Sequence, residues 1–270
     1  MLLALCGKKG DCLRGMSVAK MLHDKFGEFP DVLIHSKMKS VEPLLKWMKM
    51  PIREVVYSSS FCPVADSGIF GLSWSRWSDS MLRHLFPGHE RYYNCCPRHF
   101  PNLDLSSCMC YCAGLVNSPQ VHVEYPVGHA KWNPNPSGYA CYHFGSDDYD
   151  RCISIESDPF PSLTSVCLGG PDDKCPDWID VDMRSNDLVE SAKIIVSSNV
   201  MVGSDSLFSH ISGMHEVPTI CVMKKKSSLT VNSRSVYRHG ADVLSMTGLV
   251  SPDQVIMVYE EIERKLRSSI

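Results

Sequence analysis

The tetrapeptide Gly203-Ser204-Asp205-Ser206 has the residue types of a phosphate-binding helix start. It stands between the apolar run Val200–Val202 and a segment with helical spacing, and a second apolar run, Thr219–Val222, follows. A Ser or Asp at this place can cap the helix, while the uncapped backbone N–H groups and the helix dipole attract an anion. The pattern predicts a strand, a turn, a helix N-terminus and a second strand, which suits a diphosphate.

A carboxylate stands at a similar place near the beginning of the chain. Leu2–Cys6 is predicted as a buried parallel strand, Gly7–Asp11 as a Gly-containing turn and Cys12–Phe26 as a helix. A carboxylate after a strand can act as a general base, and it can equally cap the helix that follows. The residues alone leave both roles of Asp11 open.

Two further predicted strands end in residues that could contact a ligand. One ends with His143 and Gly145, and the next ends with Gly169-Gly170. Taken alone, a His at a strand end is more often structural, and a Gly pair is an ordinary tight turn. Ligands of doubly wound sheets collect at the carboxyl ends of the strands, however, and Asp11 and Asp205 also fall at such ends.

The order of these landmarks resembles that of the family 9 glycosyltransferases, the heptosyltransferase-like enzymes. Their donor-site signature is Gly-Asn-Asp-Ser/Thr-Gly with a His five residues after the Asp, and Asp205 and His210 keep this interval. The family also begins with an apolar strand, a Gly-Asp pair and a helix. The Asp of that pair, which Asp11 matches, is its catalytic base. Leu207 stands where the family has Gly, and Phe144 stands where it usually has Pro.

The resemblance implies an α/β protein of the GT-B fold, in which two Rossmann-like domains face a central cleft. It implies transfer of a sugar from a nucleotide-diphosphate sugar to an acceptor hydroxyl with inversion, and no cofactor or metal is required beside this co-substrate. The implied donor-binding residues are Gly10, His143, Gly145, Gly169, Gly170, Gly203, Ser204, Asp205, Ser206 and His210. Lys224 begins a basic run after a predicted strand, so it is a candidate phosphate clamp, with a solvated basic turn as the alternative.

A saccharide is the favoured acceptor, because relatives in the family glycosylate lipopolysaccharide cores. Lys8, Lys9 and Arg14 beside Asp11 could attract phosphates, so a hydroxylated base of viral DNA is an alternative acceptor. The net charge of −3 and the isoelectric point near 6.4 argue against DNA, since nucleic-acid binders are more often strongly basic. An alternative of another class is a non-catalytic nucleotide-binding or zinc-stabilised interaction protein.

The thirteen Cys residues bear on metal binding and on the cellular compartment. Cys96 and His99 have the spacing of zinc ligands, whereas Cys108, Cys110 and Cys112 alternate as strand residues do. The zinc candidates are therefore Cys96, His99, Cys108 and Cys110, and buried reduced thiols are the alternative. The odd number and irregular spacing favour a reducing compartment. With no secretory leader and no run long enough to span a membrane, we expect a cytoplasmic protein.

Alternating strand and helix signals predict the framework that positions these residues. The chain has 270 residues and is 44% hydrophobic, enough for a substantial core. The turn-rich stretch Asn133–Gly138 predicts a linker. We therefore expect an acceptor-side domain over 1–134, a donor domain over 135–250 and a C-terminal helix over 251–270, capped by Ser251 with Pro252 as its first residue. The other predicted elements are the strands Asp31–His35, Glu54–Tyr57 and Trp178–Val181 and the helices Ser40–Met50, Ser75–Leu85 and Asp187–Ser197.

Overall fold

The protein is an α/β chain that divides into two compact units, Met1–Pro126 and Val127–Ile270. The computed structural model describes residues 1–5, 7, 9–59, 79–95, 105–118, 123, 128–130, 132–133, 138–145, 152–204, 206–224, 241–246 and 249–267, and only the backbone of residues 79, 105, 223–224, 241–246 and 266–267. No helix within these ranges has the length and apolar character needed to cross a membrane. The assignment of domains from the sequence, with its boundary after residue 134, stays a prediction.

The first unit contains a four-stranded parallel sheet in the order β3-β2-β1-β4. Its core includes the buried residues Leu2, Ala4, Leu33 and Leu82. Both faces of a parallel sheet are covered, which explains why its strands are apolar runs in the sequence. The strands are β1 Leu2–Leu5, β2 Asp31–His35, β3 Val55–Ser58 and β4 Tyr92–Cys95, and the helices are α1 Lys9–Arg14, α2 Met16–Phe26, α3 Val41–Trp47, α4 Asp79–Leu85 and α5 Leu105–Cys112.

The helix after β1 differs from the predicted one in its start and in its continuity. It begins at Lys9 rather than Cys12, and it is divided at Gly15 into α1 and α2. A Cβ atom on Gly15 would lie only 2.5 Å from Cδ2 of the buried Leu5. Gly15 therefore lets the helix pair rest directly on the last residue of β1, and its backbone N–H donates to the carbonyl of Asp11 at 2.9 Å.

The second unit contains a six-stranded parallel sheet in the order β10-β9-β8-β5-β6-β7. The strands β6 and β7 lie on one side of β5, and the strands β8, β9 and β10, which come later in the chain, lie on its other side. The strand order therefore reverses between β5 and β8. The strands are β5 Tyr139–His143, β6 Thr164–Cys167, β7 Val181–Asp182, β8 Val200–Ser204, β9 Thr219–Lys224 and β10 Ala241–Met246, and the helices are α6 Leu188–Val196, α7 Leu207–Met214 and α8 Pro252–Arg267. Two parallel sheets confirm the predicted α/β class with Rossmann-like sheets.

Aromatic side chains fill the core of the second unit. Tyr142 and Phe144 are fully buried, and the ring of Trp178 meets both edge-on at centroid distances of 5.0 and 5.7 Å. Phe144, directly after the end of β5, is therefore a core residue. The predicted strand Trp178–Val181 is wrong in position, because the strand β7 is Val181–Asp182.

Side chains cap the first turns of two helices in the second unit, and the cap at Ser251 was predicted. The Asp187 side chain accepts hydrogen bonds from the backbone N–H groups of Val189 and Glu190 at 2.8 and 2.9 Å, and so caps α6. Ser251 and Gln254 cap α8 reciprocally, each side chain accepting from the backbone N–H of the other. The terminal helix therefore begins at Pro252 as predicted.

A buried carboxylate ties together the amino end of the first sheet. Asp31, the first residue of β2, is 1% exposed and accepts hydrogen bonds from Arg53 Nε at 2.6 Å and from Arg53 Nη2, while His89 Nε2 lies 2.8 Å from its Oδ2. Burial alone disfavours the charged carboxylate, but the hydrogen bonds from Arg53 and His89 outweigh it, and the pKa of Asp31 is lowered. Asp31 therefore joins β2 to the segments that precede β3 and β4.

Removing this charge should destabilise the protein in a pH-dependent way. We expect Asp31→Asn to lower the free energy of unfolding at neutral pH by about 1 to 3 kcal/mol, because Arg53 and His89 lose a charged acceptor. Since the folded pKa is below the unfolded one, the stabilisation is present above about pH 4 and is lost as pH falls through the folded pKa. Urea unfolding at neutral and acidic pH measures both effects. Asp24→Asn, in an exposed pair with Lys20, is the matched control, and an equal loss in that variant would contradict the assignment.

Candidate functional site

The candidate site lies at the carboxyl ends of the two central strands of the second sheet. β5 and β8 pair in parallel, with His143 opposite Gly203. This is the place where the strand order reverses, and such switch points are where doubly wound sheets bind their ligands. The pairing brings together three of the predicted donor-site residues, His143, Ser204 and Ser206.

His143 is the centre of a buried polar cluster. The side chain is almost fully buried, and its Nδ1 lies 2.9 Å from Ser206 Oγ and 3.4 Å from Ser204 Oγ. Its Nε2 lies 3.4 Å from Oδ2 of Asp173. The ring of Phe208 packs against the imidazole at a tilt, with the centroids 4.7 Å apart. The imidazole therefore has a hydroxyl on one side, a carboxylate on the other and an apolar wall.

Asp173, which sequence reasoning missed, comes from the loop after β6. Its Oδ2 accepts a hydrogen bond from the backbone N–H of Gly170 at 2.6 Å. The interaction with His143 has the largest effect on the pKa of Asp173 and lowers it; burial opposes this, and the Gly170 N–H and the charge of Arg184 lower it further. Arg184 also donates to the backbone carbonyl of Asp173 and forks onto the carboxylate of Asp182. The carboxylate is thus held ionised and in place.

Two of the predicted donor-site glycines make room for this carboxylate. A Cβ atom on Gly145 would lie 2.0 Å from Asp173 Oδ1, and one on Gly169 would lie 2.5 Å from Asp173 Oδ2. Gly169 also has a φ of +151°, which disfavours other residues. Gly170 contributes its N–H to Asp173. All three glycines therefore have a structural role in holding Asp173, and their contact with a donor stays a prediction.

The serines at the start of α7 do not act as helix caps through their side chains. Ser206 occupies the N-cap position, but its hydroxyl makes no capping hydrogen bond and lies beside His143 instead. Ser204 is buried and donates to the carbonyl of Gly145 at 2.6 Å, which joins the ends of β5 and β8. His210 is buried one turn into α7, and Asp205 lies outside the described residues. The side-chain capping predicted for Ser206 is therefore wrong.

The candidate residues of the first unit gather on α1, which follows β1. Lys9, Gly10 and Asp11 are its first three residues and Arg14 is its last, whereas Lys8 lies outside the described residues. Since α1 begins at Lys9, Asp11 lies inside the first turn and is not the N-cap. The capping interpretation of Asp11 is wrong, although a carboxylate in the first turn still interacts favourably with the helix dipole.

The remaining candidates are the cysteine cluster and Lys224. Cys108, Cys110 and Cys112 lie on the helix α5, so the expected strand alternation is wrong, and residues two apart on a helix do not share a face. Cys96 and His99 lie outside the described residues. Within the part of the chain that the structure describes, no group of three His, Cys, Asp or Glu residues is placed to hold a metal ion. Lys224 is the last residue of β9, and its side chain is among those not described.

Comparison with solved structures relates the fold to known enzymes. The chain is similar to a family 9 glycosyltransferase from Veillonella parvula, with a TM-score of 0.66 and 13% identity over 97% of this chain and 96% of the other. It is also similar to E. coli ADP-heptose lipopolysaccharide heptosyltransferase II, with a TM-score of 0.62 and 12% identity over 100% and 99% of the two chains. E. coli heptosyltransferase WaaC with ADP gives a TM-score of 0.57 and 11% identity over 97% and 99%.

These similarities concern the fold, since the identities are low. No protein-family model matches the sequence, and no curated protein matches it significantly. The Rossmann-like GT-B fold expected from the resemblance is the fold of these heptosyltransferases and of the family 9 glycosyltransferase.

The steric role of Gly145 can be tested by a double-mutant cycle. We expect Gly145→Ala to lower the free energy of unfolding by about 1 to 3 kcal/mol, because the methyl group displaces the Asp173 carboxylate from Gly170 and His143. In an Asp173→Ala background the same substitution should cost much less, because the methyl group then has room. Gly88→Ala, at a turn where a Cβ meets nothing within 4 Å, is the control and should change stability by less than about 0.5 kcal/mol. Equal costs of Gly145→Ala in both backgrounds would refute the steric account.

Proposed function

We propose that this protein is a glycosyltransferase that transfers a sugar from a nucleotide-diphosphate sugar to an acceptor hydroxyl, with inversion at the anomeric carbon. The observation that carries the proposal is the cluster of His143, Ser204 and Ser206 beside the start of α7, at the switch point of the second sheet. The likeness in fold to heptosyltransferases, one of them solved with ADP, supports the same assignment.

The donor diphosphate binds, in this proposal, at the N-terminus of α7. The Ser206 hydroxyl does not cap the helix, so the first backbone N–H groups remain for the phosphate oxygens, and the helix dipole stabilises their charge. Asp205 and His210 are the further donor contacts that the resemblance implies, and Lys224 at the end of β9 is a candidate for a second phosphate. Because these groups stabilise the leaving diphosphate, the proposal requires no metal ion.

Asp11 is the general base of the proposed reaction. It accepts the proton of the acceptor hydroxyl, whose oxygen forms a bond to the anomeric carbon while the bond from that carbon to the diphosphate oxygen breaks. The nucleoside diphosphate leaves with the bonding electrons, and a single displacement of this kind inverts the anomeric carbon. Asp11 lies in the first turn of α1, after the carboxyl end of β1, and ligands of doubly wound sheets bind at the carboxyl ends of the strands.

A saccharide is the favoured acceptor. The net charge of −3 gives the chain no general attraction for DNA. Lys9 and Arg14 on α1 are local cations that suit a phosphorylated or otherwise anionic acceptor, and a DNA base remains the alternative within the same reaction class. The test of the proposal therefore uses several acceptors.

Nucleotide-diphosphate sugars should stabilise the protein and be consumed by it. At a concentration of about one hundred times Kd, a donor adds about 2.7 kcal/mol to the stability, which raises Tm by roughly 5 to 10 °C for a protein of this size. Thermal shift across ADP-, UDP-, GDP- and dTDP-sugars identifies the donor, and mass spectrometry of saccharide and DNA acceptors identifies the product. A donor that binds without transfer would favour the non-catalytic nucleotide-binding alternative, and no stabilisation by any donor would contradict the proposal.

Asp11→Asn separates catalysis from stability. Turnover should fall by at least about a hundredfold because the proton acceptor is lost, whereas donor affinity should stay within a few-fold. The substitution should cost only about 0.3 to 1 kcal/mol of stability, since it removes one first-turn carboxylate from a helix. Asp253→Asn removes the corresponding exposed carboxylate from the first turn of α8 and is the matched control. Wild-type turnover in Asp11→Asn would mean that another group is the base.

A further inference from the structure

Asp173, His143 and Ser206 form a continuous polar chain that ends at the start of α7. The carboxylate lies 3.4 Å from His143 Nε2, and His143 Nδ1 lies 2.9 Å from Ser206 Oγ. The imidazole at the centre is 4% exposed, so its hydrogen bonds are to protein groups rather than to bulk water. None of the sequence landmarks includes Asp173, and its contact with His143 connects it to Ser206.

We propose that Asp173 is a positioning residue, which holds His143 so that this imidazole takes up a proton at Nδ1 when a nucleoside diphosphate binds at α7. The proposal rests on the proposed function, because it concerns the same donor site. The proton comes from the acid form of the buffer, whose bond to hydrogen breaks as the Nδ1–H bond forms, and no other covalent bond changes.

The carboxylate fixes the proton on one imidazole nitrogen. An ionised carboxylate only accepts hydrogen bonds, so the imidazole nitrogen that faces Asp173 must carry a hydrogen. Nε2 is therefore protonated, and in the neutral ring Nδ1 is an acceptor. The Ser206 hydroxyl then donates its single hydrogen to Nδ1 at 2.9 Å. The hydroxyl hydrogen of Ser204 is already used, because Ser204 donates to the Gly145 carbonyl.

A phosphate at α7 changes this arrangement. Phosphate oxygens accept hydrogen bonds, so Ser206 can bind one only by turning its hydrogen away from Nδ1. That movement leaves two acceptors, Nδ1 and Ser206 Oγ, facing each other in a buried place, which is costly. Protonation of Nδ1 restores a hydrogen bond to Ser206 Oγ, and it places a positive charge between the diphosphate and the Asp173 carboxylate.

One carboxylate and several neutral side chains surround the imidazole. Among the described residues, the loop after β6 contributes the Asp173 carboxylate, whereas β8 and α7 contribute the neutral side chains of Ser204, Ser206 and Phe208. Arg184, whose charge also acts on Asp173, is bound to the backbone carbonyl of Asp173 and to the carboxylate of Asp182.

Proton uptake during binding provides the direct test. Calorimetric titration with ADP, and in parallel with UDP, near pH 8 in buffers of different ionisation enthalpy measures the protons taken up. We expect uptake approaching about one proton per bound nucleotide for the wild type, because the diphosphate is already ionised near this pH and Nδ1 of the Nε2–H ring is the acceptor that gains a proton. Uptake should be abolished in His143→Gln. In Asp173→Asn it should fall close to zero, and affinity should fall by about tenfold, because the charged acceptor is lost.

A neighbouring carboxylate and a spectroscopic measurement complete the experiment. Asp172→Asn removes the exposed carboxylate next to Asp173 and should match the wild type in uptake and affinity. The ¹⁵N shifts of His143 in the ligand-free wild type should identify the Nε2–H form, and this measurement needs no variant. The Nδ1–H form, no proton uptake by the wild type, or equal uptake in wild type and Asp173→Asn would each overturn the inference while nucleotide binding stands. Failure of the wild type to bind any nucleoside diphosphate would instead overturn the proposed function, and the inference with it.

Discussion

The parallel pairing of β5 with β8 is the constraint on which the candidate site depends. It sets His143 opposite Gly203 at the point where the strand order reverses. A Cβ atom on Gly203 would lie 3.3 Å from the carbonyl oxygen of His143, so the absence of a side chain there keeps the two strand ends close. Because β8 leads directly into α7, the same pairing places the N-cap Ser206 beside the imidazole. A helix start that would otherwise be an ordinary cap becomes part of a buried polar cluster.

Each end of the first sheet has a carboxylate, and the two carboxylates differ in burial. At the amino end, the Asp31 carboxylate is nearly inaccessible, and Arg53 and His89 satisfy its charge within the unit. After the carboxyl end of β1, Asp11 is only partly buried, in the first turn of a short helix. A carboxylate whose partners are all protein groups contributes to stability, whereas one that remains accessible can exchange a proton with a substrate. Stability and the proposed chemistry therefore belong to opposite ends of the same sheet.

Several strands could be predicted from the sequence, but β4, β10 and the internal contacts of the candidate site could not. Strands such as Asp31–His35 were recognisable because a parallel strand buried on both faces is a continuous apolar run. Cys108, Cys110 and Cys112 have the every-second-residue spacing of one face of a strand, although they lie on the helix α5. Asp173 was missed because nothing in Pro171-Asp172-Asp173 distinguishes the carboxylate that turns inward from its exposed neighbour. That difference depends on two contacts that the local sequence does not show. The hydrogen bond from Gly170 forms only once the turn has formed, and His143 is remote in the sequence.

The space that Gly145 and Gly169 leave for Asp173 has a consequence for how this site is inherited. The two glycines follow the ends of different strands, and neither is adjacent to Asp173 in the sequence. Both leave the space that the Asp173 carboxylate occupies beside His143. Loss of the carboxylate would remove the steric reason for glycine at both positions, and gain of a side chain at either would select against the carboxylate. Positions 143, 145, 169 and 173 should therefore change together during divergence, as one correlated set.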